Sequence, residues 1–143
     1  YFDQVIEDAS QLKQDFSEFE LGEEDYLPFT GQYSVQFKLE QQPISLSDHE
    51  FNIGDGTDEF YNTYGETFLA MGHRLSGYPY FTQSDPRGDK KNIQDYILLF
   101  QLDTDDAENE IMWGDSGVGN FFIHPEDLKK RDFSKVFYNW DCC

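Results

Sequence analysis

Residues 2 to 19 place Phe2, Val5, Ile6, Ala9, Leu12, Phe16 and Phe19 at steps of three and four, with Asp3, Glu7, Asp8, Asp15 and Glu18 between them. That period gathers the apolar side chains on one stripe and predicts an amphipathic helix with an acidic outer face. The stretch 22–31 breaks the pattern, and Pro28 within it prevents continuation. From Tyr33 the period falls to two: Tyr33, Val35, Phe37 and Leu39 alternate with Ser34, Gln36, Lys38 and Glu40. This predicts a half-buried strand, ended by Pro43.

Ser47 and Glu50 have capping-box spacing but lead into Asn52-Ile53-Gly54-Asp55-Gly56, which limits any helix there to a turn or two. Thr57 or Asp58 can cap a second short helix with Phe60, Tyr61, Tyr64 and Phe68 on one side. Residues 72–86, rich in Gly, Pro, Ser and Tyr, predict a long ordered loop. The nearly continuous apolar run 96–102 predicts a central strand. An acidic loop over 103–110 follows, then Ile111-Met112-Trp113, the turn Gly114-Asp115-Ser116-Gly117 and a strand over 118–123. Pro125 suits a first helical position, with Glu126 and Asp127 in the first turn and Lys129, Lys130 and Arg131 in the last, as the helix dipole favours. The alternation of Val136, Tyr138 and Trp140 predicts a final strand over 135–141. With no linker-like stretch between the halves, the expectation is one compact domain over residues 1–143, α+β and β-rich, its strands mostly antiparallel.

Composition supports a packed core. The chain has 143 residues, near the commonest domain size, and 38% are hydrophobic. Aromatics make up 17%, with 14 Phe, 9 Tyr and 2 Trp, which favours sheets and disfavours disorder. The net charge of -19 repels phosphate backbones and anionic membrane surfaces, so neither nucleic acid nor membrane is expected as a partner. It leaves a basic protein, a cation or simple solubility. Residues 1–71 carry 16 acids against 2 bases and residues 72–143 carry 13 against 8, so any attractive surface is weighted toward the first half. The sequence has no apolar run of a membrane span's length and no basic segment followed by an apolar one at its start, which points to the cytoplasm. The first residue is Tyr1 rather than Met, as in a piece of a longer protein. Cys142 and Cys143 are adjacent and offer no disulfide framework; free thiols in a reducing compartment are expected.

Several groupings bear on chemistry. Gly114-Asp115-Ser116-Gly117 spells the segment around a trypsin-like nucleophile, and His73, Asp103 and Ser116 occur in the matching chain order. A chain this short cannot build the two barrels that such a triad needs, and geometry rather than order defines a triad, so a tight Gly-bracketed turn is the expectation. Asp103, Asp105, Asp106, Glu108 and Glu110 crowd one loop, and Asp103, Asp105 and Asp106 are weak candidates for a hard cation. An EF-hand starting at Asp103 fails at Ala107, Glu108 and Gly114. His49, His73, His124 and the terminal cysteines show no zinc spacing. The loop at Tyr78 to Gln83 and the turn at Trp113 to Gly117 set aromatics beside polar groups, as small-molecule pockets do. Tyr78, Gln83, Gln101, Trp113 and Asp115 are therefore the ligand-binding candidates. Gln83, Gln101 and Asp115 suit equally well the pairing of backbone groups in turns. No catalytic residue is assigned and no cofactor is called for.

Four blocks in order, Gly72-His73-Arg74-Leu75-Ser76-Gly77-Tyr78-Pro79-Tyr80-Phe81-Thr82-Gln83, Leu98-Leu99-Phe100-Gln101-Leu102-Asp103-Thr104-Asp105-Asp106, Met112-Trp113-Gly114-Asp115-Ser116-Gly117 with Phe121-Phe122-Ile123, and Asp127 to Ser134, resemble the YwqG-like family of bacterial proteins. The resemblance covers residues 70–143 firmly and the earlier half loosely; Ser76 stands where the family commonly has a glycine. It implies a β-rich pseudo-barrel with short helices packed at its ends, and a chain that is the C-terminal part of a longer protein. No reaction, cofactor or substrate is established for that family, and its gene neighbourhoods include toxin and immunity genes. Charge and resemblance together point to a non-catalytic binding protein, an inhibitor or immunity-type partner of a basic protein. The alternative is a small-molecule or divalent-metal binding protein, with a reaction of unknown kind.

Overall fold

The computed structural model describes residues 27–29, 33–105 and 110–142. The helix expected over residues 2–19 lies outside them. The described chain runs α1 (Asp58–Thr67), β1 (Arg74–Leu75), α2 (Pro86–Asp89), β2 (Ile97–Asp103), β3 (Val118–Ile123), α3 (Pro125–Lys130) and β4 (Phe137–Asp141). The four strands form one antiparallel sheet in the order β1-β2-β3-β4, so every neighbour in space is a neighbour in sequence. The α+β, β-rich expectation holds. Among the described residues the sheet is open rather than closed into a barrel, because β1 is only two residues long and stands with β4 at the edges.

Each helix starts where its local chemistry requires. Thr57 caps α1, its hydroxyl accepting from the Phe60 N–H. His124 caps α3 through Nδ1, which accepts from the Glu126 N–H, and Pro125 follows in the first turn, where its missing N–H costs nothing. The capping role was expected for neither His124 nor Asp85, which starts α2 just before Pro86.

The central strand carries a bulge. Leu98 pairs with Phe122, but Phe100 pairs with Phe121, which leaves Leu99 as an extra residue. A bulge shifts all later side chains to the other face, so Leu98 and Gln101 share a side despite their odd spacing. The inner face then reads in rows across β2, β3 and β4: Leu98-Phe122-Phe137, Gln101-Asn120-Asn139 and Asp103-Val118-Asp141. Phe81 from the loop after β1 closes over the first row, forming with Leu98 and Phe122 a buried cluster against which Tyr96 and Phe137 pack.

The outer face is aromatic. Phe100, Phe121 and Tyr138 line up with ring centroids 6.1 and 4.9 Å apart, and Trp113 folds back over Gly119 beside Trp140. Tyr138 and Trp140, two of the residues whose alternation predicted β4, therefore sit on this half-exposed side.

One expected element is absent. Residues 33–45 form no strand, and Val35, Phe37 and Leu39 are 67%, 74% and 100% exposed. Alternation describes how a strand would divide its side chains, but a strand also needs a neighbour to take its N–H and C=O groups. Among the described residues no strand pairs with this segment.

Gly119 has no room for a side chain, since an added Cβ would overlap the indole of buried Trp113. Gly119→Ala is expected to cost about 3 kcal/mol by overpacking. Urea unfolding of that variant, of Trp113→Leu and of the double variant should show the two losses combining far less than additively.

Candidate functional site

The five ligand-binding candidates do not converge. Gln101 is fully buried; its Oε1 accepts from the Tyr80 N–H at 2.7 Å and its Nε2 donates to the carbonyls of Ala70 and Gly72 at 3.0 and 2.8 Å. Asn120 beside it donates to the Tyr80 carbonyl at 2.8 Å. Two amides on paired strands thus grip both backbone groups of Tyr80 and hold the 70–80 loop against the sheet. Gln83 donates from its backbone to Asp141 Oδ2 and from its side chain to the Cys142 carbonyl, both at 2.7 Å. The backbone of Tyr78 exchanges hydrogen bonds with the Gln42 amide. Trp113 is buried against Gly119, while Asp115 is exposed in the turn that Gly117 closes by donating to the Trp113 carbonyl at 2.7 Å.

The cation candidates also separate. Asp103 is buried, and its carboxylate accepts from the Gly72 and Thr104 N–H groups. Asp105 lies 3.6 Å from His73 Nε2, and Asp106 is outside the described residues. His73 accepts from the Asp103 N–H through Nδ1 at 3.1 Å, so its imidazole orients that strand end rather than the exposed Ser116.

A different cluster has ligand-type geometry. Asp48, His49 and Asp85 each bring one donor atom within 4.8 Å of the others. Arg87 bridges the two carboxylates of that cluster. Its Nη2 donates to Asp48 Oδ2 at 2.7 Å and Asp85 Oδ2 at 2.6 Å, its Nε donates to both Asp85 oxygens, and its Nη1 holds the Tyr96 carbonyl at 2.9 Å. The guanidinium also lies over the Phe122 ring, 4.8 Å from its centroid. Burial opposes the charge of Arg87, but the hydrogen bonds and charges of Asp85 and then Asp48 outweigh it and hold the group above its ordinary pKa. A guanidinium in place already supplies the positive charge that a metal would bring, so the cluster works as a structural ion network. Nothing in the spacing of residues 48, 85 and 87 signals it; the Asp-Pro pair that opens α2 was the available hint.

Two surfaces among the described residues bear on binding. One runs over α1 and the loop before it: Glu50, Asp55, Asp58, Glu59 and Glu66 are exposed, and no Lys or Arg occurs between Lys38 and Arg74. Phe60 and Phe68 are exposed on the same helix, joined through Tyr64 by ring contacts at 5.6 and 4.8 Å. The other is a cleft of about 830 Å³ between residues 35–43 on one wall and residues 67–77 with Phe100 on the other.

Over residues 1–142 the chain matches a family model described as a domain of unknown function, DUF1963. The chain belongs to this family. No curated protein matches it. For this DUF1963 chain, among the described residues no helix is long and apolar enough to cross a membrane.

Burial of Asp141 at the sheet end raises its carboxyl above the usual carboxylate range, against the opposing hydrogen bonds from Gln83 and Thr82. A raised folded-state pKa means that the native protein holds this proton longer than the unfolded chain does. The resulting stabilisation is present below the unfolded value and lost as pH rises through the folded one. Asp141→Asn should therefore gain stability relative to the parent as pH rises through that window, read from paired urea titrations at acidic and neutral pH.

Proposed function

We infer that this DUF1963 protein is a non-catalytic binding protein that recognises a basic surface on a partner protein, in the manner of an inhibitor or immunity protein. The observation that carries the reading is the α1 surface. Five exposed carboxylates stand on α1 and the loop before it, with no basic side chain in the same stretch, and Phe60 within the helix and Phe68 at its C-terminal cap are also exposed. Carboxylates steer and select a cationic partner, and aromatic faces take up Lys and Arg side chains by cation–π contact. The net charge of -19 extends the attraction, and residues 1–26 add nine acids against Lys13 alone. The resemblance to the YwqG-like bacterial family supports the same role, in the cytoplasm.

The site-specific form of the claim separates it from the general pull of an acidic protein on any polycation. A Lys- and Arg-rich peptide titrated into the chain should bind at low salt and weaken steeply toward physiological salt. Neutralising Asp55, Asp58 and Glu59 together should lower its affinity about tenfold, worth about 1.4 kcal/mol. Neutralising exposed Asp89, Asp95 and Asp115 instead should change it by less than about twofold. Equal losses from the two triple variants would remove α1 as the recognition surface.

A further inference from the structure

The cleft between residues 35–43 and 67–77 reverses the charge balance of the molecule. The whole chain has 29 acids against 10 bases, yet the cleft is lined by Lys38 and Arg74 against one carboxylate, Glu40. Lys38 and Arg74 are the only Lys or Arg residues between positions 14 and 86, and both line it. Among its other lining residues Val35, Phe37 and Leu39 on one side and Leu69, Met71 and Leu75 on the other are apolar and well exposed, interleaved with Gln36, Gln41, Gln42 and Ser76. A volume of about 830 Å³ falls within the range of small-molecule pockets.

Arg74 is incompletely satisfied where it stands. Its Nη2 donates to the Met71 carbonyl at 2.6 Å and its Nη1 only distantly to the Tyr78 carbonyl at 3.4 Å, while its Nε is buried with no acceptor. Burial draws its pKa below the ordinary value, opposed by the charges of Asp103 and Glu40. A poorly solvated guanidinium with a spare donor gains from an anion nearby. The counter-charge already present is weakly held, since the Lys38–Glu40 pair is 2.7 Å long but its side chains are 84% and 65% exposed. Such a pair is worth little, so exchanging Glu40 for another carboxylate on Lys38 costs little.

From this pairing of apolar side chains with a cationic lining, we propose that the cleft binds a small amphipathic carboxylate, with the apolar body between Val35-Phe37-Leu39 and Leu69-Met71-Leu75 and the carboxylate toward Lys38 and Arg74. The cleft shares Phe68 with the α1 surface but none of its carboxylates, and neither assignment rests on the other.

Calorimetric titration of the full chain with decanoate, below its micelle-forming concentration, tests the proposal against decan-1-ol and decylamine, which share the apolar body and differ in charge. Decanoate should bind saturably and about tenfold more tightly than either. Lys38→Glu should lower decanoate affinity about tenfold and leave decan-1-ol unchanged, whereas Leu75→Glu should weaken both. Both positions are exposed, so folding does not hinge on either change. NMR contacts should run from the decanoate chain to the methyl groups of Leu39 and Leu75. Absence of saturable binding at millimolar decanoate, equal affinity for the three probes, an unaltered Lys38→Glu variant or contacts to other side chains would each overturn the proposal.

Discussion

Arg87 is the one cation buried among the described residues, and much of the described structure meets at its guanidinium. Moving such a charge out of water costs several kcal/mol unless its donors and its charge are matched. Here they are matched by chain segments far apart in sequence: Asp48 from the 45–50 turn, Asp85 at the start of α2, and the Tyr96 carbonyl at the entrance to β2. Asp85 also receives the His49 N–H, and Asp48 the Glu50 N–H, so the carboxylates that neutralise the arginine also fix the backbone around themselves. The arginine then rests on Phe122, near the end of β3. One ion network thereby ties the segment before the sheet to the apolar row of its inner face.

The second constraint is the polar row beside that core. Gln101 and Asn120 are wholly buried, which is tolerable only because each amide has a backbone partner in the 70–80 loop. The bulge at Leu99 is what turns Gln101 to that side. Loop, bulge and amide row depend on one another, and together they set the course of residues 67–77, one wall of the cleft. The charge of the molecule is distributed around this frame: carboxylates over α1, cationic and apolar groups in the cleft beneath its C-terminal end.

What could be read in advance follows from how local each signal is. The Thr57 cap, Pro125 and the apolar run of β2 each act within one turn or one strand, and each marked its element within a residue or two. The alternation over 33–39 misled because a strand is a property of two chain segments, and only one of them was in view. The Leu99 bulge has no signature in residue spacing, so the inward turn of Gln101 was hidden. Tyr78, Gln83, Gln101, Trp113 and Asp115 were candidates by residue type, and the fold scatters them between the loop after β1, the two faces of the sheet and an exposed turn. Asp48 and Arg87 are 39 positions apart, beyond any local pattern. Lys38 and Arg74 line the same cleft from segments 36 positions apart, and only the rarity of basic residues between positions 14 and 86 hinted at them.

The dependence of the fold on Arg87 is tested most directly by equilibrium unfolding of Arg87→Met. The substitution keeps an apolar stem on Phe122 but strands two buried carboxylates and the Tyr96 carbonyl. A loss of about 3–5 kcal/mol, or failure to fold at neutral pH, is the expected result. A loss under about 1 kcal/mol, the scale of an exposed ion pair, would contradict the central place given to this network.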